Sequence, residues 1–403
     1  MSARIIKNIT AVITAAVVIL AFYLGHSIFG TDTDKVAVLR AGFVFDGDDS
    51  TPYTANFVRS VEKLRVDMGD NVDILIRYNV SDENSESMIR DLAEEGCDII
   101  FTASYGYGEY AKKAAADYPN IQFCQATCSN ANEEPFCGNY HTFMGEICEG
   151  RYVTGKAAGL KLNQLIDEGI ITPDQAVIGY VGAYRYAEVV SGYTSFLLGA
   201  RSVCPTAVMK VKYIDSWMDF ALEQQAAYEL IDEGCVIISQ DTDTIGPALV
   251  CEKRSFEKTV YHIGYNQDMS DVAPTTSITS TRIVWTPYII GACHAVYEGK
   301  DIEKTVGGHR HGNDLGAGFK DGWVEILKLN DIAAAPGTGD MMKASVRELE
   351  NGNTEIFKGN YRGINPYDEN DVIDLNYGYK ENEKFSAPMF CYILDDIVTE
   401  ELE

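Results

Sequence analysis

Leu92-Ala-Glu-Glu-Gly-Cys-Asp-Ile-Ile and Leu230-Ile-Asp-Glu-Gly-Cys-Val-Ile-Ile carry one pattern twice. Each reads as a helix end, a glycine cap and a buried strand. The echo implies two α/β halves of common design rather than a short-period solenoid.

The pattern extends outward from both copies. In the first half, strands are expected at 36–39, 72–78, 97–101 and 121–124. Helices are expected at 54–68, 86–95 and 108–118, the last stopped by Pro119. Phe57, Val61, Leu64 and Met68 fall at i, i+4, i+7 and i+11, one face of a helix. In the second half, helices are expected at 150–168, 187–203, 218–233 and 244–253, the first rich in close-packing Gly and Ala. Strands are expected at 176–181, 208–213, 235–239 and 260–265. A strand at 276–281 and a helix at 285–298 follow, then an irregular tail with a helix near 341–350 and a strand at 355–358. Successive βα units imply parallel sheets with right-handed crossovers.

The chain has 403 residues, which fits two or three domains. Its formal charge is −27, from 33 basic and 60 acidic residues. Such a surface repels nucleic acid and anionic membranes. The first 30 residues hold Arg4, Lys7 and no acid, so the rest carries −29. Residues 9–24 are apolar apart from Thr10 and Thr14, behind a basic flank. This is the pattern of a signal peptide or an N-terminal membrane anchor, with the acidic body outside. The ten cysteines all lie at 97 or beyond, so none stands near the apolar run for lipid attachment. One or two disulfides among Cys124, Cys128, Cys137 and Cys148 are compatible with export.

In open parallel sheets, ligands bind at the loops following strand ends. That rule selects 40–53, 102–108, 182–187, 216–217, 240–244 and 266–268, rich in Tyr, Trp, Asn, Asp and Thr. Tyr105, Asp241 and Asp243 stand out as candidate contacts. Aromatic faces beside a few amides and carboxylates suit a flat, hydroxylated small molecule. No P-loop, nucleophile elbow or zincin motif occurs. Tyr105-Gly-Tyr-Gly-Glu lacks the third glycine of a dinucleotide fingerprint. His309 and His311 would share a strand face, but no third metal ligand is near in sequence, and no metal or cofactor is expected.

The stretch Gly145-Glu-x-x-Glu-Gly-Arg-Tyr-x-x-Gly-x-x-Ala-Gly, the strand Ile263-Gly-Tyr-Asn-Gln-Asp, Thr276-Ser-Ile-Thr-Ser-Thr-Arg and Ile356-Phe-Lys-Gly resemble the basic membrane protein family. Its members are substrate-binding lipoproteins of ABC importers and include a purine nucleoside receptor. The resemblance covers roughly 35–400. It implies a type I periplasmic-binding-protein fold, two doubly wound parallel-sheet lobes joined by a three-segment hinge. Asn266 stands where the family's ribose-binding aspartate falls, and Arg282 where its lysine falls. Asp49, Tyr53 and Thr54 lie in the loop matching the family's Asp-x-Ser-Phe-Asn. Trp217 matches an aromatic stacking position.

The resemblance and the residues together predict an N-lobe of 35–149 plus 283–305 and a C-lobe of 150–282 plus 306–403. The hinge is expected near 148–152, 266–268 and 282–285. A nucleoside-like solute would bridge the lobes, and a permease would recognise the closed form. The protein is expected to be a monomer, displayed outside the cytoplasm, non-enzymatic, with a nearly neutral, aromatic cleft. Three alternatives stay open: a receptor serving a membrane sensor, an extracellular nucleoside-processing enzyme using Asp241 or Asp243, and a structural surface protein.

Overall fold

The computed structural model describes residues 38–395 and 397–402. The expected leader, 1–30, and half of the expected first strand lie outside these residues. Among the described residues, no helix is long and apolar enough to cross a membrane.

The first lobe begins with β1 (Leu39–Val44), α1 (Pro52–Met68), β2 (Val72–Arg77), α2 (Asp82–Glu94) and β3 (Ile99–Thr102). It continues through α3 (Gly108–Asp117), β4 (Gln122–Ala126) and β5 (Tyr140–Gly145). The chain then crosses to the second lobe with α4 (Ile147–Asp167), β6 (Val177–Gly182), α5 (Ala187–Arg201), β7 (Val208–Tyr213) and α6 (Phe220–Asp232). There follow β8 (Ile237–Gln240), α7 (Gly246–Arg254), β9 (Tyr261–Tyr265) and β10 (Ser277–Ile283). It returns with α8 (Thr286–Tyr297), α9 (Ile302–Val306), β11 (His309–His311) and β12 (Asp314–Ala317). Beyond a third crossing lie β13 (Val324–Ile326), α10 (Thr338–Glu350), β14 (Arg362–Asn365), β15 (Asp368–Asp374), β16 (Ile393–Leu394) and β17 (Ile397–Glu401).

The first sheet runs β11-β12-β5-β4-β3-β1-β2 and the second β13-β10-β9-β8-β6-β7-β17. Only the β11–β12 and β10–β13 pairs are antiparallel within them. Both sheets share one winding order, with the first strand of each half between its second and third. The doubled motif explains much of this likeness. Gly96 and Gly234 have φ of +83° and +95°, the left-handed cap that glycine adopts without Cβ strain. The Cys97 and Cys235 N–H groups then reach back to the Leu92 and Leu230 carbonyls at 3.2 and 3.0 Å. Each capped turn packs on a strand glycine. A Cβ on Gly42 would lie 3.0 Å from Leu92, and one on Gly179 3.0 Å from Leu230.

Several expectations need correction. The first strand is β1, not 36–39. The segment 355–358 forms no strand; Phe357 makes a single bridge to Tyr379. β11 and β12 extend the first sheet, because β12 pairs in parallel with β5. The boundary expected at 305/306 therefore moves, and the chain crosses between sheets after β5, β10 and β12. Asn266–Asp268 is no crossing, since β9 and β10 lie side by side in the second sheet. Among the described residues no disulfide forms, and all ten cysteines there are free. Cys128, Cys137 and Cys148 face different partners, the Tyr105 and Lys112 carbonyls and Asn382. Burial raises the Cys97, Cys128 and Cys235 thiols to about 12, so they behave as small hydrophobes.

The tail touches both lobes. Ser386 donates from N and Oγ to Asp314 at 2.7 and 2.5 Å, while Ala387 N–H reaches Ser129 Oγ at 2.7 Å. On the second lobe, Ser191 Oγ donates to Glu381 at 2.7 Å. Asp314 is wholly buried and also accepts from Thr142 Oγ1 at 2.8 Å. Asp314→Ala strands those donors and is expected to cost about 2 kcal/mol. The thermal melt and the rate of proteolytic nicking in 380–390 should both shift. An unchanged nicking rate would show that Asp314 does not hold the tail.

Candidate functional site

The two sheets point the carboxyl ends of their strands at one another across a small closed chamber. From the first lobe come Asp46 after β1, Tyr53 on the first turn of α1, Ser104 and Tyr105 after β3, and Thr127 after β4. From the second come Glu188 on the first turn of α5, Trp217 after β7, Asp241 and Asp243 after β8, and Tyr265 ending β9. The free volume is only about 30 Å³, so the lobes are shut upon each other and a solute must part them to enter. A wider hollow of about 670 Å³ lies beside the crossings, between Glu149, His309, Lys320 and the tail. Its walls are not strand-end loops of both sheets, so the chamber is the candidate site.

Of the expected site residues, the structure brings Tyr53, Tyr105, Trp217, Asp241 and Asp243 together. It places four elsewhere. Asp49 is exposed outside the chamber. Thr54, on the first turn of α1, is buried, with only 1% of its surface exposed, and does not line the chamber. Arg282 pairs with Glu325 across β10 and β13. Asn266, at φ 63°, joins the lobes: Asn56 Nδ2 donates to its Oδ1 at 3.1 Å, and Arg59 reaches its carbonyl at 3.4 Å. Its own Nδ2 donates to Asp243 at 3.4 Å. Asn266 thus acts as a link between α1 and a chamber carboxyl.

Aromatic rings frame the mouth. Tyr184 stacks on Tyr186 with centroids 5.2 Å apart, and Trp217 meets Tyr184 edge-on at 5.3 Å. Tyr105 of the opposite lobe lies 5.3 Å from Tyr186. The Tyr53 hydroxyl is already committed, donating to the Ala103 carbonyl at 2.5 Å.

The cleft expected to be nearly neutral is lined by four carboxyls. Arg151 of α4 is the cation that acts on two of them, Asp241 and Glu188. Arg151 is 1% exposed, donates from Nη1 to the Gln240 carbonyl at 2.7 Å and lies 3.8 Å over the Tyr265 ring. Burial raises Asp241 to about 7 against the pull of Arg151 and a hydrogen bond from Ala183 N–H. Burial, and then the Asp241 charge, raise Glu188 to about 8. Asp46 rises to about 6, and Asp243 rises strongly through burial and then its acidic neighbours. The strand-end rule stopped one residue short of Glu188. Arg151 stood inside the quoted Glu-Gly-Arg-Tyr motif, but it reaches the site from a helix, where that rule gives no signal.

His309 lies on β11 as expected, but its Nδ1 pairs with Glu146 at 2.5 Å. Among the described residues, no three His, Cys, Asp or Glu side chains gather as a metal site.

Comparison with known proteins places this geometry. The family model described as ABC transporter substrate-binding protein PnrA-like matches residues 34–338, leaving most of α10 and the tail beyond it. A Brucella abortus purine-binding protein is 32% identical over 263 residues, covering 65% of this chain and 69% of its own. A Haloferax volcanii protein, named as an ABC transporter glucose-binding protein, is 32% identical over 55% of this chain and 51% of its own length. Among solved structures, an ABC transporter solute-binding protein from Aeropyrum pernix superposes with a TM-score of 0.63 at 14% identity, over 82% of this chain and 95% of its own. One from Conexibacter woesei gives 0.60 at 17%, over 79% and 98%. These likenesses show the shared two-lobed solute-binding fold.

Proposed function

Because this chain belongs to the family of PnrA-like ABC transporter substrate-binding proteins, we propose that it captures a purine nucleoside between its lobes and presents the closed form to a permease. The observation that carries this is the chamber itself: aromatic rings and hydrogen-bonding acceptors drawn from both lobes, at strand ends and the helix turns that follow them. Trp217 would stack on the base, and Asp241 and Asp243 would accept from the ribose hydroxyls. Asn266, being engaged with Asn56, would hold the lobes together around the solute instead of binding ribose. Display outside the cytoplasm and action as a monomer belong to the same proposal. A hexose is the second reading, carried by the name of the Haloferax relative.

Native mass spectrometry of the full-length protein, purified without additives, asks what co-purifies. Thermal melting against nucleosides, nucleobases and hexoses then ranks them. A ligand at 100 times its Kd should add about 2.7 kcal/mol of stability. Trp217→Ala is expected to weaken nucleoside binding about tenfold or more, since aromatic–base stacking contributes about 1–3 kcal/mol. If nucleosides neither co-purify nor stabilise, the nucleoside assignment fails, and a response to hexoses alone would replace it.

A further inference from the structure

We infer that the solute taken by this chamber carries a protonated amine. This rests on the reading above, that the interlobe chamber is the solute site, and it narrows the nucleoside or hexose of that reading to one that bears an added amino group.

The chamber has a surplus of carboxyl groups, and its lining carries no Lys or Arg. Asp46, Glu188, Asp241 and Asp243 all line it. Asp241 is 7% exposed, and its Oδ2 has no hydrogen-bond partner although Oδ1 accepts from Ala183 N–H at 3.2 Å. A buried carboxylate oxygen without a donor is costly, so the site as built awaits a donor from outside the protein.

The protein's own cations are spent elsewhere. Arg151 is tied to the Gln240 carbonyl and the face of Tyr265. Arg59 donates to Asn56 Oδ1 at 2.5 Å and to the Asn266 carbonyl. Arg185 faces Asp215 and the Tyr213 ring. The Tyr53 hydroxyl donates to the Ala103 carbonyl.

Around a neutral solute the enclosed carboxyls avoid facing one another as like charges only by holding protons. An ammonium group supplies three donors and the missing charge at once. Tyr105 and Trp217 add aromatic rings to the lining, and such rings attract a cation. The upward-pushed carboxyls of Asp241 and Glu188 agree with this, since burial outweighs the pull of Arg151 on both.

Two matched probe pairs test the inference on the full-length protein by isothermal titration calorimetry at pH 7. They are adenosine with 5′-amino-5′-deoxyadenosine, and D-glucose with D-glucosamine. In at least one pair the amine is expected to bind tenfold or more tighter than its neutral partner. Asp241→Asn and Glu188→Gln, which keep side-chain shape, should each lower the amine's affinity more than its neutral partner's, so that most of the ratio between the two is lost. A neutral probe that binds as tightly as its amine, with no amine preferred in either pair, overturns this inference and leaves the solute-site reading standing. If no probe binds and nothing co-purifies, the solute-site reading fails and this inference with it.

Discussion

Replacing Gly155 with alanine is expected to destabilise the second lobe by about 3 kcal/mol, through overpacking between two helices. The reason is contact of backbone on backbone. A Cβ on Gly155 of α4 would stand 2.0 Å from the Phe196 carbonyl oxygen of α5. The contact is reciprocal, for a Cβ on Gly199 of α5 would stand 2.1 Å from the Tyr152 oxygen of α4. Gly159 repeats it one turn on, at 2.5 Å from the Ala200 oxygen. Carbonyl oxygens cannot rotate aside as a flexible side chain can, so the helix axes must separate and open the core around them. Gly192→Ala is the control on the same helix α5. Its Cβ would meet nothing closer than the Tyr180 hydroxyl at 3.5 Å. A helix-interior glycine is disfavoured against alanine by about 1 kcal/mol, so this change should be neutral or stabilising. Urea unfolding of both variants, compared by midpoint at equal slope, gives the answer. A Gly155→Ala midpoint matching that of Gly192→Ala would mean the two helices do not touch at their backbones.

That pair of glycines was legible in the sequence as small residues on one helix, but their partner on α5 was not. The same division runs through the molecule. The doubled Leu-x-x-x-Gly-Cys turn announced two halves of one design, because a glycine cap between an apolar helix end and an apolar run has few other readings. β1 was displaced to 36–39 because Phe43, Val44 and Phe45 form an unbroken apolar run after Gly42. A strand buried on both faces loses the alternation that marks a half-exposed one. β12 carries Asp314-Leu-Gly-Ala, which has no strand signature of its own and is made a strand by pairing with β5. In the site, the strand-end rule reached Asp241, Asp243 and Tyr105 directly. Asn266 came from the same rule and from likeness to relatives, Arg282 from likeness alone, and here the fold gives each a protein partner instead. The acidity of the chamber was hidden for a simple reason. Net charge counts carboxylates without saying which way they face, and a body of −29 looks the same with four of them turned inward.

Those inward carboxyls make the shut form sensitive to pH when no solute is present. Raising the pH from about 5 to about 8 is expected to open the lobes. The sign follows from proton counting. Asp241, Glu188 and Asp46 are held at about 7, 8 and 6 in the closed chamber, above their ordinary carboxylate values. The closed form therefore binds more protons than an open, hydrated one across this interval, and its advantage falls as pH rises. Stabilisation of closure is complete below the ordinary carboxylate range and is lost as pH passes through the raised values. The groups facing these carboxyls support the direction. Arg151 from α4 opposes the shift of Asp241 and Glu188, whereas Asp82 from α2 and Glu223 from α6 add to the repulsion on Asp46 and Asp243. Tyr53 and Tyr265 feel the same charges and stay neutral throughout. Small-angle scattering of the unliganded protein should show the radius of gyration growing between pH 5 and pH 8. Asp241→Asn combined with Glu188→Gln should flatten that rise, because amides of the same shape do not ionise. A radius that is constant across the range, or that shrinks as pH rises, would mean the lobes are held by Asn56, Asn266 and the tail regardless of the charge enclosed between them.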